Sequence, residues 1–93
     1  MINQNGKLRV ATANSVYHLG EASEDGSRSV VKDGASLGFE RGILLGRCDS
    51  TFLGADVDME KPIVTGHGMA IMPVPGMGGQ AWSTSKIISI ENE

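Results

Sequence analysis

Gly34 to Gly46, GASLGFERGILLG, is the stretch on which the fold turns, because it reads two ways. Its glycines fall at 34, 38, 42 and 46, every fourth position. Wound into a helix, they would line one face as a small-residue stripe, the pattern of close-packed membrane helices. In water, four helical glycines would cost on the order of 4 kcal/mol relative to alanine. The Glu40-Arg41 pair is equally unsuited to a bilayer interior. A strand reading meets neither objection. It places Gly38 and Gly42 at a turn or bend, makes 42–47 a strand buried on both faces, and marks Gly46 as a candidate bulge.

Upstream, Asn5-Gly6 forms a turn and 7–12 alternates: Leu8, Val10 and Thr12 on one side, Lys7, Arg9 and Ala11 on the other. Ala13 and Asn14 bend the chain before a second strand at 15–19. The polar run 20–27 with its Asp25-Gly26 pair is a turn, and a third strand at 28–32 closes at Asp33-Gly34. These three strands predict a meander.

Downstream, 49–61 reads as a connection with one short strand at 51–53. Pro62 opens a strand, PIVTG, where its missing N–H is tolerable. A buried strand at 69–74 follows, then a loop at 75–82, then a last strand at 84–90 with Ile88 and Ile90 on one face and Ile87 on the other. The tail Glu91-Asn92-Glu93 is expected to be solvated. With no ten-residue apolar pattern of period 3.6, the chain is expected to be one all-β domain, 1–93. The expected architecture is a small barrel or sandwich of five to seven mostly antiparallel strands.

Composition narrows function mostly by exclusion. Ninety-three residues give one modest core, and 13 glycines raise the entropy that folding must remove. Burying a further apolar face between subunits would offset this, so a homo-oligomer is expected. Net charge is −3 and no Lys/Arg stripe exists, which disfavours nucleic-acid binding. Nothing approaches the length of a membrane span, and MINQNGKLRV lacks the apolar core of a signal peptide. The single Cys48 fits a reducing compartment. The expectation is a complete cytoplasmic chain beginning at Met1.

RVATANSVYHL at 9–19 and STSKIISIE at 83–91 resemble the two ends of small, uncharacterised bacterial all-β proteins. Those share a Thr-x-x-Ser-x-Tyr strand near the start and a Thr-Ser-x-hydrophobic-hydrophobic-x-hydrophobic strand at the end. The resemblance implies β structure and no activity.

Several constellations invite chemistry and fail a contextual test. Gly66-His67-Gly68 suggests a phosphate loop, but a strand follows where a helix is needed, so it is a tight turn. Asp56, Asp58 and Glu60 would share one face of an extended segment, as cation ligands could. They lack the glycine and distal glutamate of a closed calcium loop and read as a charged sheet edge. Cys48 would need His18 or His67 as a base to act as a nucleophile, and reads instead as a small core filler. Ser83-Thr84-Ser85-Lys86 matches S-x-x-K without its companion motifs. No catalytic residue, metal or cofactor is expected.

The loop that ends at Trp82 is the candidate binding surface. Pro73 and Pro75 stiffen its start, and Gly76, Gly78 and Gly79 free its backbone. Met77 and Trp82 offer adaptable apolar contact; Gln80 and His67 complete the candidate set. A competing assignment makes Trp82 a plug at the barrel end. The expected function is a non-catalytic interaction protein that binds itself or another protein. The alternative is a small-ligand-binding β-barrel capable of weak enzymatic activity, with His18, Cys48 or His67 at its mouth.

Overall fold

Alternation in the opening segment translates directly into strands. A computed structural model describes residues 2–35, 37–51, 54–59, 62–74 and 82–93, with backbone alone for 49–51 and 54–59. Strands β1 (Leu8–Thr12), β2 (Val16–Leu19) and β3 (Ser27–Lys32) form the expected antiparallel meander. In β1, Leu8, Val10 and Thr12 are buried while Arg9 and Ala11 are half-buried. The turn before β3 is held by Asp25, whose Oδ1 accepts from the Ser27 N–H and Oγ at 2.9 and 2.7 Å. Those bonds lower the Asp25 pKa.

The glycine-rich stretch is strand, as the solvent argument required. β4 (Arg41–Thr51) pairs with β3, with β5 (Gly54–Met59) and with β6 (Gly68–Val74). Gly34 and Gly38 carry positive φ in the turn region, at 76° and 82°. Gly42 departs from expectation: it lies within β4, where an added Cβ would stand 2.5 Å from Ile71 Cγ2. Gly46 is the bulge. Leu44 pairs with Ile71 and Gly46 with Ala70, leaving Leu45 over, and Gly46 takes φ 148°. The bulge shifts the alternation by one, so that Arg47 opposes Met69.

Strand 42–47 is not buried on both faces. Ile43, Leu44, Leu45 and Arg47 are half-buried, and here β4 lacks a lateral neighbour between the end of its pairing with β3 at Ile43 and the start of its pairing with β5 at Gly46. The span 49–61 is also more ordered than a connection: β4 runs on to Thr51 and β5 returns beside it, Asp49 opposite Asp56 and Arg47 opposite Asp58. A charged, alternating stretch read as loop because an edge strand with a solvated face carries the same composition. The expected 51–53 strand falls partly on residues outside those described. PIVTG is not a strand; Ile63 is nevertheless buried, its N–H bonded to Gln4 Oε1.

β7 (Trp82–Ser83) pairs with β6, and β8 (Ile87–Asn92) pairs with β1. The last strand therefore starts at Ile87, three residues later than expected. A register shift between Ala11 and Thr12 pairs Val10 with Ile90 and Thr12 with Ile87. Ile87 and Ile90 thus share the inner face, and Ile88, 64% exposed, is the odd residue. Plain alternation splits them wrongly because a bulge interrupts it. The tail is exposed, yet Asn92 accepts from the Asn3 N–H.

The eight strands form one antiparallel sheet in the order β7-β6-β4-β3-β2-β1-β8, with β5 beside β4. β3 changes ladders midway, Ser27–Ser29 pairing with β4 and Val30–Lys32 with β2, which folds the sheet over its core. The turn before β6 meets β8 through isolated bonds, Gly66 N–H to Ile87 O and Ile87 N–H to His67 O. Among the described residues no continuous ladder closes the sheet into a barrel. At this seam Gly68 is irreplaceable by any side chain without movement, since a Cβ would lie 2.5 Å from Thr84 O and 2.9 Å from Cys48 O. Leu8, Val10, Tyr17, Leu19, Val30, Ile63, Met69, Ile71 and Ile87 fill the interior.

Candidate functional site

Pairing places Trp82 opposite Ile71, a core residue, so the indole turns inward at one end of the sheet. On β2, Tyr17 also faces inward and is 3% exposed. The Trp82 Nε1–H donates to Tyr17 Oη at 3.3 Å, which gives both buried polar tips a partner. Phe39 meets the indole edge-on, with ring centroids 6.0 Å apart and planes at 65°. Lys32, the ladder partner of Tyr17, holds its Nζ 5.7 Å from the Trp82 ring centroid and 5.8 Å from that of Tyr17. Trp82 stays half-buried. It is therefore fixed on one side as a plug and open on the other.

Of the other expected site residues, Pro75, Met77 and Gln80 lie outside the described residues. His67 is half-buried in the Gly66 turn, its carbonyl accepting from Ile87. That turn opens β6, whereas the 75–81 segment follows Val74 at the strand's other end. Trp82 itself stands opposite Ile71, four steps of about 3.3 Å along the chain from His67, so His67 does not join the Trp82 cluster. Tyr17, Lys32 and Phe39 were missed by sequence reasoning. Alternation along β3 held the signal for Lys32: it shares a face with Val30, which is core.

The remaining chemical candidates scatter. Cys48 is fully buried in β4, opposite Gly68. His18 projects from the outer face of β2, between Glu93 Oε1 at 2.7 Å from Nδ1 and Asp33 at 3.1 Å from Nε2. Hydrogen bonds first to Glu93 and then to Asp33 raise its pKa above the ordinary 6.5. The side chains of Asp56, Asp58 and Glu60 are outside the described set; among described residues no cluster of three or more His, Cys, Asp or Glu side chains could hold a metal. Among the described residues no helix is long and apolar enough to cross a membrane.

Comparison with family models, curated proteins and solved structures returns no match for this chain.

Proposed function

We propose that the chain is a non-catalytic binding protein that associates with itself, or docks another protein, at the end of the sheet where Trp82 stands. One observation carries the reading. Trp82 is pinned by Tyr17 and Phe39 yet keeps an open side, with the Lys32 ammonium above it. A rigid, partly exposed tryptophan beside a cation loses little conformational freedom on contact, which is why such groups dominate interface energies. Pro75, Met77 and Gln80 precede it in the chain, and a methionine there suits adaptable apolar contact. The interior is filled by side chains, so a ligand held inside the sheet finds no support there.

Sedimentation equilibrium on the intact chain tests the proposal. The wild type is expected to run heavier than one chain and to dissociate on dilution. Lys32→Glu and Met77→Ala should each weaken that association while leaving the fold intact. Association that both substitutions leave unchanged would contradict the assignment of the surface.

A further inference from the structure

Where β3 leaves β4 and before β5 joins it, the sheet leaves a cleft of about 260 Å³. Its walls include Ile43, Leu44, Leu45 and Ile63, and Arg28 lines it. Arg28 is only 2% exposed. Its Nε donates to Gly20 O at 2.8 Å, Nη1 to Gln4 O at 2.8 Å and Nη2 to Gly6 O at 2.6 Å. A guanidinium has five N–H groups, so one remains on each terminal nitrogen. The three carbonyls supply dipoles but no charge. Among the described residues no carboxylate lies within ion-pair distance of Arg28. A buried cation without a counter-charge is costly.

We infer that the cleft beside Arg28 binds a small monoanion with an apolar body, of the class of a short- or medium-chain carboxylate. The carboxylate occupies the two spare guanidinium N–H groups, and the Asn5 amide stands exposed at the rim. The alkyl body lies against Ile43, Leu45 and Ile63. A single cation matches one negative charge, and the apolar walls exclude a fully hydrated phosphate. The volume is several times the roughly 30 Å³ of one water and approaches the lower bound, about 300 Å³, of small-molecule sites. This site is separate from the Trp82 surface and stands or falls without it.

An NMR titration of the intact protein with sodium hexanoate, against hexan-1-ol and inorganic phosphate, decides it. Hexanoate should shift the Arg28 Nε–Hε signal and the Ile43, Leu45 and Ile63 methyls saturably, with affinity about tenfold or more above hexan-1-ol. Phosphate should leave the methyls unmoved. Ala22→Leu, which narrows the cleft from a half-buried position without touching the guanidinium bonds, should abolish the hexanoate shifts and keep the folded spectrum. The proposal is overturned by absent hexanoate shifts, by equal response to hexan-1-ol, by phosphate moving the methyls, or by binding that survives in a folded Ala22→Leu protein.

Discussion

Two cations stand at opposite ends of one strand face. Arg28, Val30 and Lys32 alternate along the inner side of β3, with Val30 in the core between them. Arg28 is enclosed and bonded to three backbone carbonyls; Lys32 is half-buried and rests over two aromatic rings. Surroundings divide their roles. Carbonyls on two segments, Gln4 and Gly6 in the amino-terminal turn and Gly20 before β3, make Arg28 a tie between those turns and its own strand. Lys32, with water on one side, can exchange its ring contact for a partner's surface at little cost. Inward-facing charge on a strand therefore marks either a structural tie or an exposed site, and its hydrogen bonds tell which.

The largest effect should come from Arg28→Met. Three half-buried carbonyls lose their partner at about 1 kcal/mol each, so urea denaturation should register a loss of about 3 kcal/mol. A loss below about 1 kcal/mol would erase the contrast with Lys32. Gly68→Ala should also be severe, because backbone oxygens on both sides meet the new Cβ; a loss of about 3 kcal/mol is expected at the upper end of overpacking costs. Trp82→Phe keeps one aromatic ring but removes the indole N–H bonded to Tyr17 and part of the packed surface, for a loss of about 1–2 kcal/mol in the same assay. Lys32→Met should cost under about 1 kcal/mol in stability, as expected for a ring contact open to water, while its effect on association is large.

The smallest effect concerns His18. Its folded pKa is raised, so the protonated ring is favoured by folding, and its stabilisation is fully present below the unfolded value near 6.5. That contribution fades as pH rises through the raised folded value. The urea-midpoint gap between wild type and Glu93→Gln should accordingly be wider at about pH 5.5 than at about pH 8.5. A gap that widens toward alkaline pH would refute the pairing.

Legibility in the sequence followed regularity. β1 to β3 could be read because alternation there is uninterrupted and turn residues bound each strand. The glycine stretch could be read by what it excluded. The glycine inside β4 announced the bulge at Gly46, but nothing in the sequence announced the shift at Thr12 that puts Ile87 and Ile90 on one side. A single extra residue leaves composition unchanged and flips every later side chain, so periodicity cannot register it. Trp82 stood out in the sequence by its rarity. Its neighbours did not, since Tyr17, Lys32 and Phe39 arrive from distant segments and only the ladder brings them together.

Trp82 is the chain's single tryptophan, so its fluorescence reports on the proposed surface alone. Acrylamide quenching measured across a dilution series tests the central claim most directly. If the Trp82 end is the association surface, quenching should fall as protein concentration rises, and Lys32→Glu should flatten that dependence. Quenching that stays constant while sedimentation reports association would show that the chains meet elsewhere.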